Sequence, residues 1–224
     1  MSVFCIGDLH LSFGLGEKGK PMGIFRGWEN HVESLVANWN YRVGEEDTCV
    51  IIGDVSWASS LAEAAADFRF INDTLQGEKI IIKGNHDYWW ATAGKMNAYL
   101  RENGFTKIKI ISNNAYLAEN IAVAGSRGWV NDGTESAESD KKILVREAGR
   151  LELSVADAIK KASAAQEKNP GENPEVTAFV HYPPIFGSEE NTYILNVLQK
   201  YAVKRCFYGH LHGAGGAAKA FEVR

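Results

Sequence analysis

Five short motifs in this sequence carry side chains of the types that bind divalent metal ions. In chain order they are Asp8-Leu9-His10, Gly53-Asp54, Gly84-Asn85-His86-Asp87, His181 and Gly209-His210-Leu211-His212. Together they offer carboxylate oxygen, imidazole nitrogen and amide oxygen, and none of them contains a thiol. This mixture suits borderline to hard ions such as Mn, Fe, Zn, Co or Ni. The motifs therefore predict metal-dependent chemistry rather than a structural zinc site, which usually brings its thiolates in pairs.

The number of candidate ligands favours two ions over one. Seven side chains exceed what a single tetrahedral ion needs, and one shared carboxylate would hold two ions about 3.5 to 4 Å apart. At that spacing a hydroxide can bridge the ions and act as a nucleophile at neutral pH. A dinuclear centre for hydrolysis is the resulting prediction.

Each motif follows a short apolar run that has the composition of a buried strand. The runs cover residues 3–6, 49–52, 79–83, 176–180 and 205–208. Helical patterns separate them at residues 29–41, 61–75, 91–102, 138–168 and 190–201. Continuous apolar strands alternating with helices are typical of parallel sheets in layered α/β domains, which bind ligands at the carboxyl ends of the strands. All five motifs are predicted to lie at such strand ends.

A second group of short runs has a different pattern. Residues 107–112, 115–118 and 121–125 are separated by Asn113-Asn114 and Glu119-Asn120, which are turn-forming pairs. The spacing predicts a hairpin meander that begins a second sheet.

Length and composition indicate one ordinary globular domain, residues 1–224. The formal net charge of -4 does not favour nucleic acid or another polyanion as a partner. No stretch has the length and apolarity of a leader or a membrane span, so we expect a cytoplasmic protein without a membrane partner. The sequence does not indicate the oligomeric state.

The five motifs, in this order, resemble those of the calcineurin-like metallophosphoesterases. The resemblance extends from residue 3 to residue 213, and the residues around the motifs are similar to a group of small bacterial predicted phosphohydrolases. It implies an α/β fold, namely a four-layer α/β/β/α sandwich with two mixed β-sheets. Family members usually continue with further strands after the last motif, whereas only residues 213–224 follow here. The second sheet is therefore expected to be incomplete at the C-terminus, unless residues 221–223 add a short strand.

The resemblance also implies a function for each motif residue. One metal ion would be held by Asp8, His10, Asp54 and His212, and the other by Asp54, Asn85, His181 and His210. His86 would instead point at the substrate and act as the acid toward the leaving group. Asp87 would fix the tautomer of His86. His86 and Asp87 are thus the expected catalytic residues.

These assignments predict a metal-dependent hydrolase of phosphomonoesters or phosphodiesters. A metal-bridging hydroxide would attack phosphorus in line, and nucleotide-derived esters are among the candidate substrates. Two alternatives stay open: a nucleotide-linked pyrophosphatase, and a non-catalytic binding or scaffold module on the same fold. The chain lacks an Asp-Arg-Gly after Gly53-Asp54, so it does not resemble the protein Ser/Thr phosphatases.

Several residues close to the motifs allow two interpretations. Arg127 follows a strand of the second group and could bind phosphate through its planar guanidinium. Aromatic residues could stack on a nucleobase or an aryl leaving group, or could pack in the core. They are Trp57, Tyr88, Trp89 and Trp90.

Overall fold

The computed structural model describes residues 1–19, 22–129 and 138–212. The chain divides into two compact units, residues 1–110 and residues 111–224. Each unit has its own sheet and its own apolar core.

The first unit is built on a parallel sheet of four strands in the order β1-β2-β3-β4. The strands are β1 (Val3–Ile6), β2 (Thr48–Ile52), β3 (Glu78–Ile82) and β4 (Ile108–Ile110). The helices are α1 (His31–Arg42), α2 (Ala65–Asp73) and α3 (Ala93–Glu102), with two short 3-10 helices at Phe13–Lys18 and Met22–Ile24. Every residue of β2 is buried, as expected of an inner strand that is covered on both faces. The apolar runs before the motifs therefore form the core that fixes the motif loops.

The second unit is built on a mixed sheet in the order β10-β7-β6-β5. Its strands are β5 (Tyr116–Ala118), β6 (Ile121–Ser126), β7 (Glu175–Val180) and β10 (Arg205–Tyr208), and β8 (Ile185–Phe186) and β9 (Glu189–Glu190) form a separate two-stranded pair. The helices are α4 (Glu138–Lys168) and α5 (Thr192–Lys200). In the four-stranded sheet β6, β7 and β10 run parallel, whereas β5 is antiparallel to β6. Their carboxyl ends therefore lie side by side at one edge of the sheet.

Helix α4 covers this sheet with a buried apolar stripe. Leu151, Val155 and Ala158 are fully buried, at the spacing of one helix face, and α4 packs against β6 and β7. Helix α5 is capped at its N-terminus by Asn191, whose side-chain oxygen accepts a hydrogen bond from the amide of Ile194. Such a cap satisfies one of the free amides of the first helical turn.

The structure confirms the α/β fold with a mixed sheet and all five predicted helices, with boundaries that differ by a few residues. The prediction of a meander is wrong for its first strand, residues 107–112. Residues 108–110 form β4, which joins the first sheet in parallel with β3, and only β5 and β6 make the predicted hairpin. A strand of three residues has no periodicity that names its partner, and β4 follows a helix, which permits a parallel crossover.

The strands that precede His181 and His210 both belong to the second sheet. There β7 pairs with β6, and β10 pairs with β7. Three motifs therefore follow strands of the first sheet, and two follow strands of the second. The α/β/β/α layering and the single domain stay predictions.

The remaining fold predictions concern the chain terminus and membranes. Residues 213–224, including the possible strand at 221–223, lie outside the described residues. Within the described part of the chain, no helix combines the length and apolarity needed to cross a bilayer. The cytoplasmic location stays a prediction.

Candidate metal centre

The loops after β1 and β2 run side by side because the backbone pairing of the two strands continues past their ends. The amide of Asp8 donates to the carbonyl of Gly53 at 3.0 Å, and the amide of His10 donates to the carbonyl of Asp54 at 2.9 Å. This pairing places the first motif next to the second. The sheet itself thus determines which motif residues are neighbours.

The side chains of these two motifs converge on one point. The Nε2 atom of His10 lies 3.8 Å from Oδ1 of Asp8 and 3.8 Å from Oδ2 of Asp54. Metal ligands sit about 2.0 to 2.2 Å from an ion such as zinc, so two ligands of one ion can be separated by up to about 4 Å. His10 and Asp54 are also buried, with 2% and 1% of their surfaces exposed. Both the donor types and their spacing fit a divalent ion.

Four of the predicted ligands have a left-handed backbone. The φ angles are 61° for Asp8, 47° for His10, 51° for Asp54 and 71° for His210. Residues other than glycine are uncommon in this region, and strained backbone of this kind clusters at functional sites. All four residues lie in the loop that follows a strand, namely β1, β2 or β10.

Gly84 allows the loop after β3 to approach Asp54. A Cβ atom at this position would lie 2.1 Å from the backbone nitrogen of Asp54 and 2.1 Å from its Oδ1 atom. With hydrogen in place of a side chain, the loop comes close enough for the amide of His86 to donate to Oδ1 of Asp54 at 2.8 Å. The other oxygen, Oδ2, is the one that faces His10.

Asp87 joins the loops after β2 and β3 through its carboxylate. It is fully buried and accepts five hydrogen bonds. The donors, at 2.7 to 3.3 Å, are the backbone amides of Asp54, Val55, Ser56 and Gly84 and the indole N–H of Trp89. Burial and the nearby Asp54 carboxylate raise the pKa of Asp87 to about 6, although the backbone hydrogen bonds act in the opposite direction.

The role that the resemblance implied for Asp87 is a different one, namely to fix the tautomer of His86. Among the described residues, both of its oxygens are engaged by loop amides and Trp89 rather than by the imidazole of His86. A carboxylate with this set of donors holds backbone in place. These hydrogen bonds position the loops at Asp54 and Gly84, and the tautomer role that the resemblance implied for Asp87 stays a prediction.

Replacing Asp87 with asparagine should destabilise the protein strongly. The amide group would put a donor opposite at least two buried N–H groups, and each unsatisfied group costs about 1 to 3 kcal/mol. We expect the free energy of unfolding, measured with urea on the metal-free protein, to fall by about 2 to 4 kcal/mol. Asp47→Asn is the matched control, because Asp47 accepts amide hydrogen bonds from Ser2 and Gly44 in an exposed turn. Wild-type stability in Asp87→Asn, with only the activity altered, would contradict the positioning function and favour the tautomer assignment.

The aromatic residues near the motifs fall into two groups. Trp89 is buried, and Trp90 packs against the core of the first unit. Trp57 instead stacks on His10, with ring centroids 4.7 Å apart at 21°, and its ring lies 4.3 Å from that of His86. Tyr88 is exposed. Core packing thus accounts for Trp89 and Trp90, while Trp57 supports the two imidazoles.

In the second unit, His181 and His210 lie at the ends of neighbouring parallel strands. Val180 of β7 is paired with Tyr208 of β10, and the two histidine rings are 5.1 Å apart. The ring of Tyr182 is 4.4 Å from that of His210. His212 is exposed. The second sheet therefore brings two of the predicted imidazole ligands together.

Sequence reasoning missed some residues that support the motif loops. Asp67, buried in α2, accepts hydrogen bonds from the hydroxyl of Ser56 and, at 2.7 Å, from the amide of Phe13. It thereby ties the segment after the first motif to the segment after the second. Nothing in the local sequence distinguishes Asp67 from a solvated helix residue. Tyr182 could have been found, since it directly follows His181.

The predicted site residues therefore fall into two neighbourhoods. In the first unit, His10 lies beside Asp8, Asp54 and the ring of His86, and Asn85 is in the same loop as His86. In the second unit, His181 and His210 are neighbours. The assignment of seven ligands to two ions stays a prediction.

Comparison with known proteins gives one family match. The family model described as calcineurin-like phosphoesterase matches residues 1–214. No curated protein matches the chain. Among solved structures, the chain is similar to the crystal structure of a protein of unknown function from Aquifex aeolicus, with 18% sequence identity over 93% of this chain and 89% of that chain. The TM-score is 0.42, and at this value the similarity supports no conclusion about the fold.

Proposed function

Because the chain belongs to the calcineurin-like phosphoesterase family, we propose that it is a dinuclear metal-dependent hydrolase of phosphomonoesters or phosphodiesters. The observation that carries this proposal is the family match over residues 1–214, a range that contains all five motifs. The spacing of Asp8, His10 and Asp54 supports it, because their donor atoms are close enough to share an ion.

The proposed ligands are the seven that the motifs supply. They are Asp8, His10, Asp54, Asn85, His181, His210 and His212. Asp54 is the proposed bridging ligand. Two properties support this choice: Asp54 is buried, and the His86 amide bound to Oδ1 fixes the orientation of its carboxylate.

Two divalent ions in such a site would supply positive charge for the phosphate oxygens and would acidify a water molecule. The protein's own contribution to bond cleavage is proposed to be the proton that His86 donates to the leaving oxygen. The ring of His86 lies near the ring of His10, with centroids 5.7 Å apart, and packs against Trp57. This packing restricts the imidazole and so favours a fixed direction of proton donation.

The proposed substrate is a small phosphate ester, with nucleotide-derived esters included. The net charge of -4 does not favour a polyanionic partner.

Metal analysis followed by assays tests the proposed activity. We expect about two divalent ions per purified chain, and hydrolysis of p-nitrophenyl phosphate or its bis ester in the presence of Mn, Zn, Fe or Co. Chelation should abolish turnover, and re-addition of the active ion should restore it. A chain that binds no metal and is inactive with all four ions would instead be a binding or scaffold module on the same fold.

A further inference from the structure

Arg127 lies at the same sheet edge as His181 and His210. It directly follows β6, and the register pairs Ser126 of β6 with Val180 of β7, which is paired in turn with Tyr208 of β10. Neighbouring strands are about 4.8 Å apart, so the residue after β6 is next to the residue after β7. The amide of Tyr182 donates to the carbonyl of Arg127 at 3.0 Å, which keeps the two segments together beyond the strands.

The guanidinium of Arg127 is held on two sides. One terminal nitrogen donates to Oε1 of Glu147 at 3.2 Å, and the central carbon lies 4.5 Å from the centroid of the Trp129 ring. Glu147 is buried in α4, with 1% of its side chain exposed. The carbonyl of Trp129 accepts a hydrogen bond from Asn191 at 3.0 Å. Arg127 is therefore fixed in one orientation, with 13% of its side chain exposed.

The fixed guanidinium keeps unused capacity to bind an anion. Its Nε atom is buried and has no hydrogen-bond partner among the described residues. Buried polar atoms are nearly always paired, so such an atom needs an explanation. Oε1 of Glu147 also lies 2.8 Å from Nη1 of Arg150 and 3.8 Å from Nε of Arg146. Three guanidinium groups therefore share one carboxylate. The single charge of Glu147 therefore neutralises Arg127 only in part.

We propose that Arg127 binds a non-bridging phosphoryl oxygen of the substrate and favours phosphomonoesters over phosphodiesters. The inference rests on the proposed phosphoesterase function. A planar guanidinium matches the geometry of phosphate oxygens. A monoester dianion carries one more negative charge than a diester, so it gains more from a fixed cation next to His181. Glu147 and Trp129 position this cation and do not contact the substrate.

The test compares Arg127→Ala with Arg146→Ala. The control removes the same charge from the same carboxylate, but at a residue with 56% of its side chain exposed. For Arg127→Ala we expect kcat/KM with p-nitrophenyl phosphate to fall about 10- to 100-fold, the equivalent of a hydrogen bond to a charged group. The loss should be smaller with bis-p-nitrophenyl phosphate, and inorganic phosphate should inhibit less strongly by a similar factor. Arg146→Ala should behave as wild type, and Arg127→Lys should recover part of the loss.

Equal losses with both esters and an unchanged inhibition constant for phosphate would overturn the proposal, as would the same losses in Arg146→Ala. Urea unfolding of each variant separates this effect from instability, and Arg127→Lys replaces Arg127→Ala if the latter does not fold.

Calorimetric titration with inorganic phosphate, with and without metal, separates this inference from the proposed activity. If the wild type lacks turnover but binds phosphate more tightly than Arg127→Ala, the activity is refuted and the anion site stands. Equal affinities, or no binding by the wild type, refute the site.

Discussion

Replacing His86 with alanine is expected to remove most of the turnover and to leave the metal content unchanged. The side chain is assigned to the leaving group, and loss of a general acid costs about 10²- to 10⁴-fold in rate. The backbone amide that donates to Oδ1 of Asp54 at 2.8 Å is kept in this variant, so the carboxylate stays oriented. The measurements are kcat and the number of bound ions per chain.

The size of this loss should depend on the leaving group. An alkyl alcohol leaves poorly without a proton, whereas p-nitrophenolate leaves well, so alkyl phosphates should lose more activity than aryl phosphates. His31→Ala is the matched control, because His31 is the one histidine outside the motifs and lies in the same unit. It should keep near wild-type turnover with every substrate. Equal activity of His86→Ala and wild type across both ester classes would refute the acid assignment.

Replacing Gly84 with alanine should reduce both metal content and turnover. The new Cβ would lie 2.1 Å from the nitrogen and from Oδ1 of Asp54, a separation that real atoms do not adopt. The backbone of Gly84 or Asp54 must therefore move. Because a displacement of about 1 Å in a site can cost about 100-fold in rate, we expect kcat/KM to fall at least that far. Metal analysis and kinetics on the same preparation measure both effects.

Gly94→Ala provides the comparison for this variant. Gly94 lies in α3, and a Cβ there would meet no atom within 4 Å. Alanine is favoured over glycine by at most about 1 kcal/mol in a helix, and Gly94 lies in the first turn, so this variant should be fully active and at least as stable as the wild type. Wild-type metal content and turnover in Gly84→Ala would show that the loops after β2 and β3 adjust without disturbing Asp54.

The local features of this fold could be predicted from the sequence. The helix over residues 138–168 was recovered with its observed bounds, because its apolar periodicity is long and a cluster of Pro, Gly and Asn ends it. The strand ends were recovered because β-branched runs stop abruptly at Gly or His. The partner of each strand could not be predicted from the sequence, because contacts between distant segments of the chain decide which strands pair. β4 is the example, because its three residues contain no signal for the first sheet.

The candidate site shows the same limit. The residue types of the motifs predict metal-binding chemistry, and the structure brings Asp8, His10 and Asp54 together. The full set of hydrogen bonds of Asp87 could not be predicted, because three of its five donors, the amides of Asp54, Val55 and Ser56, precede it by more than thirty residues. The same holds for Arg127, whose carboxylate partner, Glu147, is twenty residues later in the sequence and lies in α4.

The hydrogen bonds of Asp87 also determine how this part of the site would take up ions. Hydrogen bonds between protein groups hold the loops after β2 and β3 together, so an arriving ion would meet Asp54 in a loop that the protein itself keeps in place. Its affinity is then not diminished by the entropy of ordering a loop. Small zinc domains behave in the opposite way, because they fold only when the metal binds. In this unit an ion could leave and another could take its place without local unfolding, so the ion present would follow the supply in its surroundings.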